Sequence, residues 1–249
     1  MKAVQPRVLV GFWGRFIDWE KRRKGENGFL VKTLSRFKAR KVFDSCMGDG
    51  CDTIFLLKEG FEVTSNDLDV TFIRKAQENA RKNSVRLNVT SFDWRRLDKH
   101  FPPDSFDAVI CLGNSLTYLF SKKDHAKSLR GFYRLLRKGG VLVVDERNYD
   151  YFLKNRKEIL AGKFRYRGKF VYCGTEVKAH PIRISSKEVV MEYCDSKTSQ
   201  KCQLVMYPFK KGELRSRIRE AGFGRIETYC DFQKKKDNEA DFFTYVAQK

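Results

Sequence analysis

Three absences narrow the reading of this 249-residue chain before any motif is considered. No apolar run approaches the roughly 20 residues that cross a bilayer, and the opening Met-Lys-Ala-Val-Gln-Pro-Arg lacks the apolar stretch of a secretory signal. A soluble, cytoplasmic protein without a membrane partner is expected. Seven cysteines, an odd number, include no Cys-x-x-Cys pair, and the three histidines stand apart from one another and from cysteine at ligand spacing. No metal site is expected, and the thiols should be reduced and buried. There is also no Pro/Gly/Ser-rich linker, repeat or low-complexity tract, so residues 1–249 read as one domain with a sizeable core.

Acidic residues are in short supply: 31 Asp and Glu face 51 Lys and Arg, a net charge of +20. Such a field concentrates anionic partners, and nucleic acid is a possible one. The cations are nevertheless spread along the chain, from Lys21–Lys24 to Lys234–Lys236. Several runs fall at expected helix ends, where a solvated basic surface accounts for them equally well.

What the chain does have is alternation. Strand-like stretches at Lys41–Cys46, Phe61–Asn66, Leu87–Phe92, Phe106–Leu112 and Val141–Asp145 alternate with helical ones at Asp52–Glu59, Val70–Lys82 and Lys122–Leu136. This predicts an α/β fold with a mostly parallel sheet and helices on both faces. Gly60 and Gly139-Gly140 are expected to cap helix C-termini. Residues 1–40, with Phe12, Trp13, Phe16 and Trp19 at short spacing, form a leading cap segment. Residues 163–207 turn β-rich, with strands expected at Lys163–Cys173, Val177–Ile184, Glu188–Asp195 and Gln203–Tyr207, and read as an inserted antiparallel sheet over the substrate site. A helix at Lys211–Ala221 and strands at Gly224–Phe232 and Phe242–Gln248 follow, the last inserted antiparallel.

In open α/β sheets ligands bind beyond the carboxyl ends of the strands. The first strand delivers Asp44 and the turn Cys46-Met47-Gly48-Asp49-Gly50, the second Asp67-Leu68, the third Asp93-Trp94, the fourth Leu112 to Ser115, and the fifth Asp145 to Asn148. Cys46 stands where a dinucleotide fingerprint has its first glycine, and no third glycine follows, so S-adenosylmethionine (SAM), which has no pyrophosphate to wrap, fits better. Asp67 would accept the ribose hydroxyls. Asp93 would take the adenine amine while Trp94 packs on the ring. Asp44 would act at the methionine end through the turn, and Arg22 or Arg23 could pair with the cofactor carboxylate.

The stretches Phe106–Ser115 and Gly140–Asp150, with looser agreement over most of the chain, resemble the glycine and glycine/sarcosine N-methyltransferases among the class I SAM-dependent methyltransferases. The resemblance implies a Rossmann-like sheet of seven strands with an antiparallel β lid, and methyl transfer from SAM to a small amino acid with S-adenosyl-L-homocysteine as product. It further implies that Arg147 holds the substrate carboxylate, that Asn114 helps to place its nitrogen, and that Tyr172 and Tyr207 line the pocket. On the cofactor side it implies Arg23, aligned by Glu26, with Cys46, Asp67, Asp93, Trp94, Leu112 and Tyr118. Tyr118 stands where glycine N-methyltransferase carries a histidine, and Phe12, Trp13 and Phe16 where it carries tyrosines. The net charge keeps methylation of tRNA or rRNA as the alternative, although no Asn/Asp-Pro-Pro-aromatic motif follows the fourth strand.

Overall fold

The computed structural model describes residues 7–163 and 176–249. Ten strands carry the architecture: β1 (Lys41–Asp44), β2 (Glu62–Asn66), β3 (Asn88–Thr90), β4 (Phe106–Cys111), β5 (Leu136–Arg147), β6 (Val177–Ile184), β7 (Val189–Asp195), β8 (Lys201–Met206), β9 (Ile226–Cys230) and β10 (Phe242–Gln248). Seven of them form one sheet in the order β3-β2-β1-β4-β5-β10-β9, parallel from β3 to β5, with β10 antiparallel to both of its neighbours. The strand order reverses between β1 and β4, which opens the crevice where ligands bind in such sheets. The parallel strands are those anticipated from the alternation, and the seven-stranded Rossmann-like order is the one the family resemblance implies.

The helices are α1 (Arg7–Phe16), α2 (Trp19–Glu26), α3 (Phe29–Arg36), α4 (Cys51–Lys58), α5 (Val70–Lys82), α6 (Lys122–Leu135), α7 (Tyr149–Lys154), α8 (Arg156–Glu158) and α9 (Glu213–Glu220). None of the described helices is long and apolar enough to cross a membrane. Adjacent strand residues point to opposite faces of a sheet, and β1 shows the result. Phe43 packs with Leu129, Phe132 and Ile218, whereas Val42 packs with Leu34, Leu56 and Val63. Both faces are therefore apolar, as a sheet covered on both sides requires. Asp69 and Ser121 cap α5 and α6 with their side chains.

At the far end of the sheet from the crevice, the Asp107 carboxylate accepts the N–H groups of Arg40 and Lys41, both at 2.8 Å, and pairs with Arg137. One side chain thus fixes the starts of β1 and β4 against β5.

Strands β6-β7-β8 form a separate antiparallel sheet. Its apolar face, with Met191, Tyr193 and Leu204, packs on Leu9 and Phe16 of α1. Arg15 of α1 pairs with Asp195 at the end of β7, so the leading helix and the inserted sheet form one cover. The strand expected at Lys163–Cys173 falls almost wholly outside the described residues, and Lys163 itself ends a helical turn.

Gly139-Gly140 do not cap a helix. Helix α6 stops at Leu135, with Leu136 already extended, and both glycines lie inside β5, which begins five residues earlier than the apolar run indicates. The β4–β5 register slips between Phe106 and Ala108. In that bulge Gly139 takes φ +77°, and a Cβ on Gly140 would stand 2.9 Å from the carbonyl oxygens of Arg137 and Asp107. Gly60, at φ +89° one residue past the α4 cap, does end its helix as expected.

Candidate active site

A cavity of about 400 Å³ opens at the crevice, walled by the exits of β1, β2 and β4 and by α1 and α2. Its size lies within the roughly 300–1,000 Å³ of small-molecule sites. Gly48 takes φ +54°, and its N–H donates to Asp67 Oδ2 at 2.9 Å. The other Asp67 oxygen accepts the Asp69 N–H at 2.9 Å. The glycine turn and the β2 carboxylate are thus joined directly. Burial pushes the Asp67 carboxyl up to about 6.

Gly50 serves the frame rather than the wall. At φ +83° it precedes α4, and a Cβ there would meet the Ala76 Cβ at 2.9 Å, so only glycine lets α4 and α5 approach so closely. Asp44 likewise lies beneath the turn. It accepts the Thr53 hydroxyl at 2.6 Å and the Cys46 N–H at 3.3 Å. Burial, only partly countered by the Thr53 hydrogen bond, pushes it to about 7.

Trp94 lines the cavity with its ring and donates Nε1–H to the Ser45 carbonyl at 2.7 Å, which locks the indole against the glycine turn. Asp93 lies beside it, and the Arg95 guanidinium holds its carboxyl below the usual range. Cys46, Leu112 and Tyr118 form the floor nearest β4, while Leu68, at 43% exposure, sits at the rim. The Cys46 Sγ lies 3.4 Å from the Leu112 carbonyl. Its neighbour Cys111 and its burial raise the thiol well above the ordinary range, which makes it inert.

From α2, Arg22 reaches the cavity wall and Arg23 does not. Arg23 pairs with Glu26 at 2.6 Å and with Asp52, so its guanidinium is committed to the α2–α4 junction. Burial works to raise the Asp52 carboxyl, but Arg22 and Arg23 together hold it below its usual range. Trp19 donates Nε1–H to Asp49 at 3.3 Å, and both line the cavity.

A second set of groups gathers where β4 and β5 end. Gly113 and Asn114 take consecutive left-handed conformations, φ +72° and +63°. Asp145 holds this turn by accepting their N–H groups at 3.1 and 2.6 Å, and its own burial raises it. The Asn114 side chain is fixed at both ends. Oδ1 accepts the Arg147 N–H at 3.0 Å, and Nδ2 donates to the Tyr149 hydroxyl at 2.6 Å, with Met206 Sδ of β8 at 3.3 Å. Arg147 is 7% exposed, its guanidinium against the rings of Phe152 and Phe242. Asn148 caps α7 and donates to the carbonyls of Asn238 and Ala240, which ties the segment before β10 to the same corner.

Tyr207 is turned toward α9. Its hydroxyl donates to Glu213 at 2.8 Å and accepts from Arg217 at 3.1 Å, and its ring packs among Phe120, His125 and Phe209. It does not line the cavity, and neither do Asn114 and Arg147. For Tyr207 the cause is α9, which begins at Glu213 and draws the phenol toward its own carboxylate and Arg217. Tyr172 lies outside the described residues. The phenol that does meet Asn114 is Tyr149, which the sequence reading passed over although it sits inside the Gly140–Asp150 stretch. Among the described residues no cluster of potential metal ligands occurs.

A family model described as a methyltransferase domain matches residues 42–140. Glycine/sarcosine N-methyltransferase of Aphanothece halophytica is 37% identical, over 98% of this chain and 91% of that protein. The enzyme of the same name from Parasynechococcus marenigrum is 36% identical over 95% of this chain and 81% of its own. Among solved structures, a SAM-dependent methyltransferase from Clostridium acetobutylicum superposes with a TM-score of 0.71 at 16% identity, covering 97% of this chain and 96% of the other, a likeness of fold.

Proposed function

The chain belongs to the glycine/sarcosine N-methyltransferase family of class I SAM-dependent methyltransferases, and from that premise we propose that it methylates the amine of glycine, sarcosine or a similarly small amino acid. The observation that carries this reading is the buried Arg147 beside Asn114, at the exits of adjacent strands. A planar guanidinium binds both oxygens of a carboxylate, and a water-poor setting strengthens that pair.

The cavity suits SAM in its donors and acceptors. Asp67 would hold the ribose hydroxyls, Asp93 and the Trp94 ring the adenine, and Arg22, on the wall, takes the place beside the cofactor carboxylate expected of Arg23. When bound, SAM supplies a methyl group activated by its sulfonium charge. The chain contributes mostly position. Bringing an amine into line within near-attack distance supplies much of the rate without acid or base catalysis. Arg147 orients the acceptor, and its positive charge favours the neutral amine that the reaction needs. No histidine lines the cavity.

The test is labelled-methyl transfer from SAM to glycine, sarcosine, dimethylglycine and bulk tRNA in parallel. Label is expected in glycine or sarcosine and should fall at least about 100-fold in Arg147→Ala, the cost of removing one partner of a buried charge pair. Label entering tRNA alone would replace the amino acid with RNA and give the +20 charge a direct use.

A further inference from the structure

Asn114 is held in a conformation that an asparagine side chain does not impose by itself. Its φ of +63° follows a glycine at +72°, a left-handed region that asparagine enters more readily than most non-glycine residues and that the surroundings here hold in place. Two restraints act on its own backbone and one on its neighbour: Asp145 takes its N–H and that of Gly113, and the Thr117 hydroxyl donates to its carbonyl at 2.6 Å. These set where the side chain starts. They do not set which way its amide faces.

The amide is oriented by the two contacts at its ends. The Arg147 N–H can satisfy only an oxygen, so Oδ1 faces β5 and the NH2 must face the other way. There it meets the Tyr149 hydroxyl at 2.6 Å. Tyr149 is 1% exposed, so no bulk water replaces that hydroxyl. Burial, against the opposing pull of Arg147, raises its phenol to about 12, which keeps it neutral. Arg147 and Tyr149 are two residues apart across the Asn148 cap of α7. The same turn that delivers the guanidinium therefore also returns the phenol to Asn114.

We propose that Tyr149 is a positioning residue for the acceptor amino acid: its hydroxyl backs the Asn114 amide in the orientation that the Arg147 N–H selects, and with its bond to Thr117, whose hydroxyl holds the Asn114 carbonyl, it acts through the Asn114 turn. The proposal rests on the small-amine reading above. Tyr149→Phe removes one oxygen and leaves the ring packing on Phe152 in place. In that variant, kcat/KM for the amine should fall about tenfold while the Kd for SAM stays within about twofold. Because Tyr149 works through the Asn114 turn, adding Tyr149→Phe to Asn114→Ala should cost little further, the non-additivity expected of a single interacting pair. A Tyr149→Phe enzyme with wild-type kcat/KM would overturn the proposal, as would a double variant about tenfold worse than Asn114→Ala. A wild type that methylates neither glycine nor sarcosine would defeat the substrate reading alone. In that event, side-chain amide NMR still decides the point: the Asn114 NH2 signals should move and exchange faster with solvent in Tyr149→Phe, and unchanged signals would overturn the proposal.

Discussion

The two sides of this site are built in different ways. On the proposed cofactor side the glycine turn and its carboxylates are joined by short links, although Trp94 reaches Ser45 across 49 residues and Cys46 meets Leu112 across 66. Gly48 and Asp67 are 19 residues apart, and Asp44 and Thr53 nine. On the acceptor side Asn114 meets Tyr149 across 35 residues and Met206 across 92, and Asn148 meets Ala240 across 92. The first side is centred on the β1–α4–β2 unit and completed by Trp94 after β3, Leu112 after β4 and Trp19 of α2. The second needs β4, β5, the antiparallel sheet and the segment before β10 all in place, so a change in any one of them reaches the acceptor. Cofactor binding and acceptor binding should therefore fail separately.

The largest test of that separation is Asp67→Ala. Removing the carboxylate proposed to hold two ribose hydroxyls is expected to raise the SAM Kd about 100-fold, since each hydrogen bond to a charged group contributes about 1.5–3 kcal/mol. Calorimetric titration would read this, while the amine KM at saturating SAM stays within about twofold. An amine KM that rises in step would merge the two sides.

The pH dependence follows with a smaller effect. The Asp67 carboxyl titrates at about 6 in the free protein, and hydroxyl donors favour its ionised form. Binding therefore releases a proton below that pH. SAM affinity should strengthen about tenfold per unit as pH rises toward 6 and level off above it. A flat profile in wild type would remove Asp67 from the cofactor contacts, and Asp67→Asn should abolish the slope.

Trp94→Phe should have a milder effect, because an aromatic ring remains while the bond to the Ser45 carbonyl and part of the indole's contact area are lost. A loss of about 1 kcal/mol in thermal unfolding is expected, with a several-fold weaker SAM Kd. Smallest of all is Tyr207→Phe. Its hydroxyl serves Glu213 and Arg217, so the amine KM should stay within about twofold. A tenfold rise in steady-state assays would bring Tyr207 back to the acceptor.

The same contrast explains what could be read from the sequence. The limits of α5, β6 and β10 coincide with their apolar patterns, because each has clear caps or strict alternation. The cofactor side was legible because a strand, a glycine turn and a following carboxylate are contiguous signals. Tyr149 and the Asp145 clamp were not, because each depends on a segment more than 30 residues away arriving beside Asn114, and the turn of Tyr207 toward Glu213 and Arg217, though local, carries no apolar pattern or cap that marks it. Arg22 and Arg23 show the limit within one helix. The sequence offers two adjacent guanidiniums that both pair with Asp52, and it is Arg23 that also pairs with Glu26 while Arg22 lies at the wall.

The Asp107 anchor has a consequence for redesign. It fixes the starts of β1 and β4 against β5, while Asn114 stands at the other end of β4, roughly 20 Å away at about 3.3 Å per strand residue. The alignment of the strands is therefore held at a place that never meets the acceptor. A pocket for a bulkier amine can be carved at the exits, beginning with Met206 where β8 touches Asn114, without loosening the fastening that keeps those exits side by side.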